Sequence, residues 1–465
     1  MASRARSFEC KLPDVIVPQE ISDRILAECL NRPQAYGELQ WLCDNVGGRT
    51  SGADSGNRAE EWGHRFFTKS GLDNVRFEEL PVTVWRRGPL EVVVTEPASW
   101  TITAMAHGNA PSRVEAAAEV LDAGHAENGD FERLGSAVKN KVALCDEGVA
   151  EGHRGLHRTE KLKLAIQAGA SGLMIYSSAS GGLPRTGVCY YGEAPIPSMG
   201  ISQEDGERLK RLINEGAKPK VRISMRNTNS AATARNVLAD IRGSERPDEI
   251  VMAGGHLDSW DVSQGATDNG LGAAIVMEMA HALAALGKRP KRTLRFALWA
   301  AEEVGLCGSH AYVEKHRREL DRICGLLNFD MTGDPYGFWV PGRKEKHPML
   351  EGLAGQLAGV GMRQDYDHKA GLHSDHQPFM LEGVPVVGLM ARLEGQGGHY
   401  YHSVGDTFEK VSQPALCRAA AVGAHTMWAI ADAEPRPFAR LTPDEIETMI
   451  DENDLREALA VEKQG

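Results

Sequence analysis

Near the start of the chain, apolar positions recur at helical spacing. In "EISDRILAECL" they fall at Ile21, Ile25, Leu26, Cys29 and Leu30, and in "RAEEWGHRFFTKSG" at Ala59, Trp62, Phe66 and Phe67. Each stretch presents one apolar stripe and is predicted to be an amphipathic helix. A turn-rich "VGGRTSGADSGN" separates them, and beyond it "LEVVVTEPASWTITAM" has the alternation of strands.

The texture then changes. "VKNKVALCDEG" reads as a short strand ending in a loop. "RTEKLKLAIQAGASGLMIYSS" reads as helix, glycine stop and buried strand, and "IPSMGISQEDGERLKRLINEG" as strand, polar turn and helix. Residues 106–228 are therefore predicted to be a small α/β unit with its own core. They hold no metal or nucleophile pattern, so they are expected to shape substrate access or a subunit contact.

From 229 to 434, strands and helices alternate. "EIVMAGGHLDS", "RTLRFALWAAEE", "ICGLLNFDMTG" and "VPVVGLMA" read as strands. "GLGAAIVMEMAHALAAL", "SHAYVEKHRREL", "PMLEGLAGQLAGVG" and "QPALCRAAAVGAHTMWAIADA" read as helices. The alternation predicts an α/β fold, with a mixed, mostly parallel sheet flanked by helices. Residues 1–105 would be the N-terminal part of that same domain. The polar, acidic residues 435–465 would form a peripheral helix or a frayed tail.

Composition narrows the class. With 52 Lys and Arg against 64 Asp and Glu, the net charge of -12 argues against nucleic acid or an anionic membrane as partner. No apolar run approaches a membrane span. The stretch "MASRARSFECKLPDVIVPQE" has no apolar core of a signal peptide, so the expectation is a cytoplasmic protein, or a secreted one whose leader has been removed. The 8 cysteines are scattered singly, which suits free thiols rather than a thiolate metal site or a disulfide framework.

The chemistry lies at the predicted strand ends. "GGHLDSWDVSQGATDNGLGAA" carries His256, Asp258 and Asp268, and the next strand closes on Glu302 and Glu303. Asp330 ends the strand after that, and His402 follows in "GGHYYHSVGDT". In an open parallel sheet the loops at the carboxyl ends of strands meet in one crevice. So much negative charge in one place demands cations. Imidazole and carboxylate donors without thiolates suit zinc, with cobalt or manganese as alternatives. A carboxylate shared by two ions makes a site that activates a water lying between them. The His-x-Asp spacing lets Asp258 orient the His256 ring. Of the adjacent glutamates, one would bind metal and the other accept a proton from water.

Together with "WAAEEVGLCGSHAY" and "NFDMTG", these motifs resemble the di-zinc exopeptidases of the aminopeptidase and glutamate carboxypeptidase family. "GGRTSGADSGN" resembles the motif that opens their peptidase domain, and residues 106–228 resemble their inserted protease-associated domain. The resemblance implies two zinc ions per chain. His256 and Asp330 would hold one, Glu303 and His402 the other, and Asp268 would bridge them. Glu302 would be the general base, with Asp258 supporting His256. His399 is the rival to His402, which is preferred because the family's ligand directly precedes a serine, here Ser403. Asp375 and His376, in "HSDHQPFMLEGVP", resemble a segment bordering the substrate pocket. Arg392, the arginine nearest these motifs, would hold the distal carboxylate of a dipeptide. The resemblance thus implies hydrolysis of short peptides or dipeptides from a free N-terminus, in a monomer or homodimer. A receptor-like binding protein without a metal centre and an acyltransferase of the glutaminyl-cyclase kind are the alternatives.

Overall fold

The computed structural model of the chain describes residues 16–393 and 397–462. The stretch on which the leader expectation rests lies mostly outside them, as does Cys10. The seven described cysteines are free, and among the described residues no helix is long and apolar enough to cross a membrane.

At the centre is a five-stranded sheet in the order Asp73–Arg86, Thr228–Ile241, Arg292–Trp299, Arg246–His256, Ile323–Asn328. The first two pairings are antiparallel. Arg246–His256, however, runs parallel to both its neighbours. Register then fixes where the chemistry falls. His256 lies opposite Trp299, and Gly254 opposite Asn328, so three parallel strands end at one edge. Glu302, Glu303 and Asp330 follow within a few residues of that edge.

Helix Leu271–Ala285 is apolar almost all round, and from Leu271 to Leu283 every residue except His281 is buried. Such a helix has no solvent face to offer. It packs between the sheet and helices Ala35–Asn45 and Gln413–Asp432, and so anchors the loop that precedes it. A small sheet of Asp365–Asp367, Asp334–Trp339 and Gly388–Arg392 stands beside the core.

The second unit is an eight-stranded sheet with two apolar clusters of its own. Its boundary differs from the expected residue 106. Leu90–Glu96 pairs with Lys220–Arg226, and Ala104–Ala106 with Ser198–Ile201, so the unit begins by Leu90. Arg113–Asp122, whose alanines and glutamates carry little strand signal, is one of its strands. The two units are not separate bodies. Trp260, in the loop between His256 and Asp268, is buried in the second unit's core beside Trp85.

Among the described residues, the C-terminal segment is helical rather than a frayed tail. It forms helices Pro443–Glu452 and Arg456–Glu462. Met449 is buried in a cluster with Phe379 and Val384, and the last helix touches helix Arg158–Ala168 of the second unit.

Candidate metal centre

Two glycines of "GGHLDSWDVSQGATDNGLGAA" are there because backbone passes close to backbone. A Cβ on Gly255 would sit 2.7 Å from the Phe329 carbonyl oxygen, and one on Gly272 only 2.1 Å from it. Strand, helix and the turn before Asp330 therefore meet more closely than any side chain would allow.

The loop between them is stapled by Arg49, which is fully buried. Its guanidinium donates to the carbonyls of Leu257 (2.7 Å), Gln264 (2.6 Å), Gly265 (2.7 Å) and Gly47 (3.1 Å). Both halves of the loop are thus tied to one planar group. Asp406 fixes the other end, accepting from the Thr267 and Asp268 amides at 2.7 and 3.0 Å. Asn269 donates to the Phe329 carbonyl (2.8 Å) and accepts from the Met331 amide (3.1 Å), locking the Asp268 turn to the Asp330 turn. Sequence reading missed Arg49, Asp406 and Asn269, although Arg49 stood in a quoted motif and Asp406 in "HSVGDT".

The side chains these turns carry converge. Asp268 Oδ1 lies 3.2 Å from His256 Nε2, and Oδ2 lies 3.0 Å from His402 Nε2. His256 Nε2 is also 3.5 Å from Asp330 Oδ1, and His402 Nε2 is 3.1 Å from Glu303 Oε2. Two donor groups result, His256–Asp268–Asp330 and Asp268–Glu303–His402, each with its ligand atoms within 4.8 Å of one another. His399 belongs to neither; its ring packs on Tyr400. Glu302 is also outside both, 3.9 Å from His256 Nε2.

Asp258 lies against the His256 ring, chiefly through its backbone. Its backbone carbonyl, not its carboxylate, is the acceptor for His256 Nδ1, at 3.1 Å. The carboxylate lies 3.6 Å from that nitrogen and accepts instead from the Glu302 and Glu303 amides, at 3.1 and 3.3 Å. One residue therefore orients the histidine and also fixes the paired glutamates.

Electrostatically, the cluster is out of balance. Burial pushes Glu302 and Glu303 above the usual carboxylate range; His256 and His402 oppose this, and neighbouring carboxylates add to it. Burial alone would depress the histidines, but Glu302 and Asp330 lift His256, and Glu303 and Asp268 lift His402. Burial would raise Asp268 too, yet its hydrogen bonds with both histidines hold it low. Buried carboxylates outnumber the groups that can answer them. Glu303 Oε1 is buried without a hydrogen-bond partner among the described residues. An oxygen-and-imidazole donor set with an orphaned buried oxygen fits divalent ions.

The site opens into a cavity of about 540 Å³. His376 lines it, its Nε2 3.0 Å from the Gly371 carbonyl. Two expected substrate residues do not. Asp375 is wholly buried behind the wall, where burial pushes its carboxyl up to about 7. Arg392 is exposed over the Tyr336 ring, on a strand that leads it away. The arginine in the wall is Arg158, which comes from the second unit together with His157, Val188 and Tyr191. That unit also grips the His402 loop. The Thr186 amide donates to the His402 carbonyl at 2.9 Å, His402 Nδ1 is 3.2 Å from the Thr186 carbonyl, and Arg185 donates to the Gly398 and His399 carbonyls. Residues 106–228 were expected to shape substrate access or a subunit contact; which of their residues reach the site was not legible, because these contacts use backbone groups and isolated arginines.

The peptidase family M28 profile matches residues 236–427, and that of the PA domain residues 110–209. Carboxypeptidase Q of Homo sapiens is 31% identical over 412 residues, covering 86% of each chain. Among solved structures, a peptidase M28 precursor from Shewanella amazonensis SB2B is similar at 26% identity with a TM-score of 0.80, over 91% of this chain and 99% of that one. BSAP, a zinc aminopeptidase from Bacillus subtilis, shares the fold at 23% identity, with a TM-score of 0.65 over 88% and 97% of the two chains.

Replacing Arg49 should disturb a site it never touches. Arg49→Met leaves buried carbonyls without donors and is expected to cost about 3 kcal/mol, and to loosen metal retention. Urea unfolding and ion content after dialysis check this; an unchanged midpoint with full ion content would contradict it.

Proposed function

This chain belongs to peptidase family M28 and is a metallo-exopeptidase, and from that premise we propose that it hydrolyses dipeptides and short peptides from a free N-terminus with two zinc ions. The observation that carries the reading is Asp268, whose two oxygens face the Nε2 atoms of two different histidines. His256 and Asp330 would hold one ion, Glu303 and His402 the other, and Asp268 both. A receptor-like protein and a glutaminyl-cyclase-like acyltransferase have no use for this complete donor set.

Bound ions would supply Lewis-acid polarisation of the scissile carbonyl and make the attacking water more acidic. The protein's own groups do the rest. Glu302 lines the cavity outside both donor groups, so its carboxylate is available to take a proton from water and return it to the leaving amine. Its amide is held by Asp258, which limits its movement.

Substrate polarity follows from charge. The carboxylates around the ions favour a cationic α-amine. Arg158 supplies the opposite pole. When His402 turns Nε2 toward a metal, Nδ1 carries the ring proton and donates to the Thr186 carbonyl. A protonated Nδ1 cannot accept from Arg158 Nη2, 2.8 Å away, and Arg158 Nε has no partner among the described residues. The guanidinium then keeps a long hydrogen bond to the Tyr401 hydroxyl, at 3.4 Å, and is available to bind an anion in the cavity. A substrate carboxylate suits it, and an extended dipeptide spans roughly 7 Å between its ends.

Two experiments test this reading. Glu302→Gln is expected to retain its ions and lose roughly 10²-fold or more in kcat; near-normal turnover with full metal would remove Glu302 from the role of base. A free dipeptide should be cleaved and its N-acetyl form should not, while Arg158→Met should lower kcat/KM for the free dipeptide but not for its C-terminal amide. Equal rates on the acetylated and free forms would favour a carboxypeptidase, and equal loss on acid and amide would remove Arg158 as the anchor.

A further inference from the structure

A second cavity, of about 570 Å³, adjoins the metal cavity, and Tyr191, Gly305 and Leu306 form part of both walls. The shared wall begins two residues past Glu303, so it stands beside the reacting groups. Gly305 has φ +126, and a Cβ there would come within 3.2 Å of the Tyr191 ring, so only glycine lets the chain pack this closely on Tyr191 in the wall that the two spaces share. The lining of the second cavity is aliphatic at Val82, Val304 and Leu306. Among the described residues, no lysine or arginine lines it, and two glutamates do.

The glutamates are not equivalent. Glu193 is occupied, accepting from the Ser112 amide at 2.7 Å and from Asn229 Nδ2 at 3.3 Å. Glu462, from the C-terminal helix, accepts from Gln377 Nε2 through Oε2 at 2.6 Å. Its Oε1 has no hydrogen-bond partner among the described residues; His373 Nδ1 is 3.3 Å away without the alignment of a bond. The Glu462 charge reaches both cavities. After burial, it is the largest influence raising Tyr191, and it opposes the burial that lowers His310.

We propose that this second cavity is the subsite for the N-terminal residue's side chain and selects a linear cationic one, lysine or arginine, with Glu462 as the residue that sets the preference. The inference rests on the free-N-terminus reading above. An aliphatic stem lies along Val82, Val304 and Leu306, as long basic side chains do on apolar walls, and the cationic head meets a carboxylate with an oxygen to spare. The last helix of the chain thereby becomes part of the substrate site.

The test compares Lys-Ala with Met-Ala, a neutral side chain of similar length, on the zinc-loaded full-length enzyme. The expected result is a kcat/KM at least tenfold higher for Lys-Ala. Glu462→Gln keeps an acceptor for Gln377 and should abolish most of that ratio by slowing Lys-Ala, with Met-Ala unchanged within twofold. Met-Ala turnover thus serves as the control for folding. A variant that slows both substrates equally, or neither, overturns the subsite. A wild-type enzyme that cleaves neither free dipeptide overturns the free-N-terminus reading itself, and the subsite with it.

Discussion

Carboxylates that cannot escape one another govern this structure. Asp268, Glu302, Glu303 and Asp330 are brought to one sheet edge and largely withdrawn from water, with His256 and His402 between them. In a medium of reduced dielectric, such a cluster is costly unless positive charge enters it. The surrounding architecture holds the cluster together against its own repulsion. Arg49 pins the loop backbone, Asp406 and Asn269 pin the turn that carries Asp268, and Asp258 pins the two glutamates by their amides. None of these groups faces an ion, yet each fixes the direction of one that would.

The inserted unit belongs to this constraint. Trp260 embeds the metal loop in the insert's core, and the Thr186 backbone grips His402 at both its carbonyl and its ring. The cavity wall is therefore divided between two units joined through the donors themselves. Under the proposed function, substrate recognition and metal geometry would share the same contacts, since Arg158 sits beside the ring that the Thr186 carbonyl meets.

Much of this was legible in the sequence, and for a physical reason. Parallel strands deliver their carboxyl ends to one place, so His256, Glu302, Glu303 and Asp330 could be grouped from strand periodicity alone. The glycines of the metal loop were legible as a signal, and the cause of two of them, close backbone approach at Gly255 and Gly272, emerged only in three dimensions. What stayed hidden were residues that act through the backbone or across long separations. Arg49 binds carbonyls, which have no sequence signature. Arg158 reaches the cavity from a unit with no catalytic pattern, and Arg392, nearer in sequence, lies on a strand that carries it outward. The boundary at Leu90 was obscured because strands of both units follow one another without a linker. The C-terminal segment read as a tail because its buried contacts, such as Met449, are few and widely spaced.

The most direct test of this account is to count the ions that the acidic cluster takes up. Metal-stripped protein titrated with zinc by calorimetry, with elemental analysis of the dialysed product, should saturate at two ions per chain and should gain thermal stability as they bind. Saturation at one ion or fewer in folded protein would contradict the shared role of Asp268 and the two-ion site built around it.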